Sequence, residues 1–318
     1  MLCQGHRFSG GIKHFWMAVR MLKTNLVLEE LARQKRTKMW PKWGLVRPDR
    51  RFTVRVIGSE LNLNHQAVHG ILTEEMGMQK ICTKLVPKIL TNEQKENRTN
   101  ACLDLLERLE NDENFFKHVI TGDESWILEY DPATKWQSSE WHTSNSLHPK
   151  KARMSKSKIR SLLICFFDSQ GIVCKEFMPQ GQTVNKQYYH EVLARLRKRV
   201  YRVRPGIADT WVLHHNNTPC HTAISVNEYL TKNGNPVVPQ PPYSPYLSPC
   251  DFFLFPKLKF NLNGRHFGTV DNIQKVMTEQ LRAIPHEDFQ HCYREWEQRL
   301  RRCVAFQGNY FEGDNVDL

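Results

Sequence analysis

Three stretches of the chain carry side chains whose types and spacing could do chemistry. In VITGDESW an apolar run ends on Asp123 and Glu124. In WVLHHNNTPCHTA three apolar residues run into a knot of His, Asn and Thr, and in SPCDFFLF Asp251 opens an apolar helix. Metal-dependent phosphodiester chemistry needs such groups brought together from separate strand ends. Two Mg²⁺ ions roughly 4 Å apart take hard oxygen ligands, activate the attacking oxygen and stabilise the leaving one. Asp123 and Asp251 are candidates for those ligands, and the missing one should lie on HHNN, which holds no carboxylate. Taken alone, a strand-end Asp is more often a turn carboxylate than a catalyst. His214, His215 and His221 have an H-H-x5-H spacing that matches no structural zinc site. They read as packing and supporting groups, as does Glu124.

The elements that must position these residues are legible from residue 52 onwards. In FTVRVIGSELNLNHQAVHGILTEEMGM, Thr53 can cap a helix reaching about Leu61, Asn64 caps a second, and Gly77 ends it. Val56, Leu61, Leu63, Val68, Ile71 and Leu72 are spaced to pack the two together. These are the parts of a helix-turn-helix, in which the start of the second helix enters the DNA major groove, an ordinary helical hairpin being the plainer alternative that the basic charge disfavours. Asn64, His65, Gln66 and His69 are its candidate DNA-binding residues. Thr91 and Gln94 then form a capping box for a connecting helix to about Leu109. After residue 115 come a strand with Asp123, a hairpin around DSQG, a helix, the strand TWVLHHNN, a second helix and a Pro-rich loop. An apolar helix from Asp251 and a charged helical stretch over 271–304 close the chain. That alternation predicts a mixed α/β domain whose polar strand ends, near Asp123 and Asn216, meet at one edge of the sheet.

Composition narrows the partner. The 318 residues carry 45 Lys and Arg against 33 Asp and Glu, a net charge of +12, which favours a polyanion. The segment HPKKARMSKSKIR, 148–160, holds six Lys or Arg and no acid. Its Lys150, Lys151, Arg153, Lys156 and Lys158 form a candidate phosphate-tracking strip, a solvated linker being the plainer alternative. RLRKRVYRVR, 195–204, could equally be a solvated helix face. Nine scattered cysteines without a C-x-x-C pair suggest neither a zinc ribbon nor a disulfide framework. No apolar run reaches a membrane-spanning length, and the first residues do not resemble a signal peptide. Trp126 and Trp141 read as core or loop anchors.

VITGDESW, MPQGQTVNKQYY, HHNNTPCHTA and PPYSPYLSPCDFFLFPKLK, with GRHF and GNYFEGD near the end, together resemble the mariner branch of the Tc1/mariner DNA transposases. The branch includes domains domesticated by fusion to a histone methyltransferase. The resemblance covers about residues 50–315. It implies an RNase H-like catalytic domain, a mixed sheet flanked by helices that carries three acids, behind an all-α helix-turn-helix segment. In the family pattern H-H-D-N-x-x-x-H the second acid falls on Asn216. The 34 residues separating Asn216 from Asp251 match the family spacing between second and third acids. The implied catalytic and metal-ligating residues are thus Asp123, Asn216 and Asp251, with Mg²⁺ or Mn²⁺ as cofactor, two ions in the family. Asn offers a neutral carbonyl oxygen but no negative charge, so weak metal binding and severely reduced cleavage are expected.

Other departures from the family are Tyr246 in place of an Asp, and Leu85 in place of a Trp in the linker that supports dimerisation. The front end, 1–45, is too irregular for a first helix-turn-helix unit. The expected domains are this segment, a helix-turn-helix at 46–80, a helical linker at 81–115 and the catalytic domain at 116–318. The expected partners are double-stranded DNA, transposon terminal repeats by family, and a second copy of the chain, with no membrane and no small-molecule substrate; the expected location is the nucleus. A competing reading is a DNA-binding protein without enzymatic activity, a decayed or domesticated transposase.

Overall fold

A computed structural model of the chain describes residues 52–81, 85–135, 137–143, 146–147, 150, 152 and 154–311. Segment 1–45, Lys151, Arg153 and the end of GNYFEGD lie outside the described residues. The packing divides into two units between Lys84 and Leu85.

In the first unit, α1 (Val54–Leu61) starts where the Thr53 hydroxyl accepts the amide of Val56 at 3.2 Å. Helix α2 (His65–Gly70) starts where Asn64 Oδ1 accepts the amide of Gln66 at 2.8 Å. Each cap satisfies an N–H that the helix itself leaves open. The second helix runs on through a π-turn, Ile71–Glu75, and stops before Gly77 at φ +59°. Ile57 and Val68 are the buried contacts, whereas Val56, expected to face inward, is 41% exposed. The turn explains that rotation. A Cβ on Gly58 would lie 2.8 Å from the Leu63 carbonyl oxygen, so the connection closes against the bare backbone at 58 and turns Ile57 to the interior.

The second unit is built on a five-stranded sheet in the order β3-β2-β1-β4-β5. Its strands are β1 (Val119–Leu128), β2 (Arg160–Asp168), β3 (Gly171–Phe177), β4 (Val212–His214) and β5 (Val237–Val238). β1 pairs antiparallel with β2 and parallel with β4, and β4 is parallel to β5. Alternate residues of β1 and β2 feed two separate cores, as the two-residue strand period requires. Val119, Ile127, Leu163, Cys165 and Phe167 join the first. That core includes α3 (Asn92–Asn111), α7 (Phe255–Leu262), α8 (Val270–Arg282) and α9 (His286–Ala305). Ile120, Ile164 and Phe166 join the second, with α5 (Lys186–Val203) and α6 (Ile224–Lys232). The short α4 (Phe115–His118) leads into β1.

The capping box of Thr91 and Gln94 is formed. The helix it starts does more than connect: Cys102, Leu105 and Leu106 belong to the first core, and the unit boundary falls before it. The charged stretch at 271–304 is two helices, because Pro285 occupies the N-cap of α9 and cannot donate to a continuing helix. Mixed pairing with helices on both faces is the expected RNase H-like architecture. No described helix is long and apolar enough to cross a membrane.

Candidate active site

Parallel pairing of Thr121 with His214 sets β1 beside β4 and brings the Asp123 and Asn216 segments together. They meet between two internal strands rather than at a sheet edge. Gly122 makes the position of Asp123 possible: a Cβ there would lie 2.1 Å from the Phe166 ring. Asp251 arrives on a π-turn, Cys250–Leu254, that leads into α7.

Asp123 is 7% exposed. Its Oδ1 accepts the Glu124 amide at 2.7 Å and the Asn216 Nδ2 amide at 2.7 Å. Asn216 Oδ1 accepts the Thr218 amide at 3.0 Å and its hydroxyl at 2.5 Å. A main-chain N–H can only donate, so Thr218 fixes which end of the Asn216 amide faces Asp123. Burial first, then the charges of Asp251 and Glu124, push the Asp123 carboxyl up to about 8. Burial also raises Asp251, against the hydroxyl of Ser248 and the charge of Lys259. Lys259 is itself held below the usual lysine range by burial, which the charge of Asp251 opposes. Three of the expected residues thus come together: two desolvated acids, with an amide in the third position.

The histidines support this centre. His214 bonds Thr121 Oγ1 through Nδ1 at 2.9 Å and Gln240 Oε1 through Nε2 at 2.8 Å. Burial lowers it to about 4 and His215 to about 3, so both rings are neutral near pH 7. His221 Nε2 bonds Glu124 Oε1 at 2.9 Å. Its ring stacks on Tyr189 at 3.8 Å and on His215 at 5.2 Å between centroids.

Asp123 and Asp251 offer the hard anionic oxygens that a divalent cation takes. Among the described residues, no group of three or more His, Cys, Asp or Glu is placed to hold a metal. A divalent ion bound here would have two carboxylates to take, those of Asp123 and Asp251. Asn216 could add a carbonyl oxygen only by leaving Thr218 and turning its N–H away from Asp123.

On the separate first unit, His65, Gln66 and His69 are exposed. With Thr53, Val54, Arg55 and Lys80 they line an open concavity of about 840 Å³. Asn64, also a candidate contact, spends its side chain on the cap. In the basic strip Lys150, Lys156 and Lys158 are exposed, but Lys156 is paired with Asp131 at 3.2 Å. Trp126 and Trp141 are not core anchors: Trp126 is 42% exposed, with the Arg160 guanidinium 3.9 Å from its ring centroid, and Trp141 is fully exposed. Sequence reasoning passed over Lys259, Gln240 and Arg98. Lys259 lies eight residues after Asp251, beyond the i+3 and i+4 neighbours a helix brings together, so like the other two it carried no local signal.

The family described as "Transposase (partial DDE domain)" matches residues 131–210. The Mariner Mos1 transposase of Drosophila mauritiana is 29% identical over 263 residues, 82% of this chain and 75% of that one. Human Histone-lysine N-methyltransferase SETMAR is 26% identical over 279 residues, 84% of this chain but 39% of its own length. Crystal structures of the Mos1 paired-end complex with Mn and with Mg each superpose at a TM-score of 0.74 with 29% identity. Each match covers 85% of this chain and 78% of that one. Over most of its length the chain is thus similar to the mariner transposases in sequence and in fold.

Proposed function

We propose that the chain is a DNA-binding protein of the mariner type whose strand-cleaving centre is disabled at Asn216. The observation that carries this reading is the hydrogen bond from Asn216 Nδ2 to Asp123 Oδ1. The position that should offer a third anionic oxygen instead donates a hydrogen bond to the first acid. The helix-turn-helix presents Gln66, His65 and His69 to a major groove, with Lys150, Lys151, Arg153, Lys156 and Lys158 tracking phosphate. The DNA and paired-end assembly named in the Mos1 structures support double-stranded DNA as partner, and transposon ends in particular. Two copies could pair through the apolar surface of exposed Leu85 and Ile89, although Leu85 in place of the family's Trp weakens that interface. A nuclear location follows from that partner.

For cleavage, Asp123 and Asp251 would hold Mg²⁺ or Mn²⁺, two ions by family precedent. Bound there, the metal would activate the attacking oxygen and stabilise the leaving one, first for hydrolysis at the transposon end and then for attack of the freed 3′-hydroxyl on target DNA. The chain's own part is to keep both acids desolvated and close, with Lys259 offsetting their charge. The Asn216 amide satisfies Asp123 without recruiting a cation, so the second reading, a binder without enzymatic activity, rests on the same bond.

Nicking of supercoiled plasmid in Mg²⁺ or Mn²⁺, beside Asn216→Asp and Asp123→Ala, tests both. Cutting by Asn216→Asp with little or none by the natural chain supports the proposal. Efficient cutting by the natural chain, abolished by Asp123→Ala, overturns the impairment. If neither cuts while salt-sensitive DNA binding persists, the second reading stands.

A further inference from the structure

One buried line of hydrogen bonds joins the three segments that carry Asp123, Asn216 and Asp251. It is anchored on Arg98 of α3, a fully buried guanidinium. Arg98 donates from Nε to the Gly308 carbonyl at 2.8 Å and from Nη1 to Ser244 Oγ, and it lies 4.8 Å from the Tyr310 ring centroid. Among the described residues its Nη2 has no hydrogen-bond partner. Burying a charge with an open donor is costly, so stability alone is a poor reason for Arg98 to be there.

The direction of the line follows from its members. The Ser244 carbonyl can only accept, so Gln240 gives it Nε2–H at 2.7 Å and turns Oε1 to His214. His214 therefore carries its proton on Nε2 and accepts at Nδ1 from the Thr121 hydroxyl. The Thr121 oxygen is left to accept from the Cys250 thiol at 3.9 Å. Asn217 donates its side-chain amide to the Gln240 carbonyl. Each contact falls next to a ligand position. Thr121 precedes Asp123 by two residues on the same strand, His214 precedes Asn216 by two, and Cys250 adjoins Asp251. From Arg98 to Cys250 the line is buried, Gln240 being its most open residue at 9% exposed, while Asn217 lies at the surface.

We propose that Thr121, His214, Gln240, Ser244 and Arg98 are positioning residues that together set the spacing of Asp123, Asn216 and Asp251. The proposal rests on the reading of those three as the acid site. Partners behind metal ligands that orient them in this way change metal affinity when lost, by about 10- to 100-fold.

The test uses the full natural chain with ¹⁵N-labelled asparagine, the Asn216 side-chain amide being assigned by its loss in Asn216→Asp. Thr121→Val and Ser244→Ala are expected to shift or broaden that resonance, and Thr121→Ser to preserve it. A second arm measures Mn²⁺ binding to Asn216→Asp by electron paramagnetic resonance. Adding Thr121→Val or Ser244→Ala should weaken binding about tenfold with little change in Tm, and Thr121→Ser should restore it. Should a variant fail to fold, Arg98→Lys, which keeps the charge and removes the fork, takes its place. An unmoved Asn216 resonance in folded variants overturns the proposal, as does a lowered Tm with unchanged Mn²⁺ affinity. If Asn216→Asp binds no Mn²⁺, the metal reading fails and the Asn216 resonance alone decides the positioning.

Discussion

Asn216 donates its side-chain amide to Asp123 at 2.7 Å while its own carbonyl is held by Thr218. The two residues satisfy each other where the mariner pattern sets two carboxylates. Metal-free, the centre is therefore more comfortable than one with a third acid would be.

Replacing Asn216 with Asp should lower the stability of the metal-free protein. The loss should exceed the roughly 0.5–1.5 kcal/mol of an ordinary hydrogen bond, since the new carboxylate must also be desolvated beside Asp123 and Asp251. Millimolar Mn²⁺ should raise the Tm of Asn216→Asp by several degrees and that of the natural chain far less. Scanning calorimetry with Mn²⁺ and with chelator checks this; equal responses would count against it.

Asp123 carries a pH signature. Its carboxyl, raised to about 8 by burial and by Asp251 and Glu124, holds its proton in the folded chain where an unfolded Asp has lost it. The metal-free fold should thus be most favoured by this group below about pH 4 and lose that contribution progressively as pH rises to about 8. Asp123→Asn should flatten the slope. Chemical denaturation at intervals between pH 5 and 8.5 measures it, and an unchanged slope in the variant would reject the assignment.

Gly122 admits no side chain. Gly122→Ala drives a methyl into Phe166, a fully buried ring, and should cost about 3 kcal/mol. Phe166→Leu, destabilising alone, should recover part of that cost in the double variant, so the cycle should be non-additive. Additive losses from urea unfolding would show that the two do not meet.

DNA binding should separate into two kinds of contact. On a sequence selected from a random pool, Gln66→Ala should weaken binding by about 1–3 kcal/mol and relax specificity at its base. Lys158→Ala should weaken all sequences alike and reduce the salt slope by about 1. Fluorescence anisotropy across a salt series distinguishes them; uniform weakening by Gln66→Ala would remove it from base readout.

The sequence by itself determined the elements, because each is written locally. Thr53, Asn64 and Thr91 cap helices, DSQG turns the β2–β3 hairpin, and Gly77 and Gly234 adopt the positive φ that ends a helix. The positions of an acid site were implied by the resemblance to mariner transposases, whose spacing between second and third acids the 34 residues between Asn216 and Asp251 match. What only the tertiary structure decided depends on contacts between distant residues. Val56 lost the interior to Ile57 because the Leu63 carbonyl packs on Gly58, and Pro285 split one charged stretch into two helices that share a core with the expected linker. Asp123 gained its raised affinity for a proton from burial against Asp251, 128 residues away. Arg98 meets Ser244 only because α3 packs on the first core, and an amphipathic helix does not state in its sequence which surface its buried side will meet.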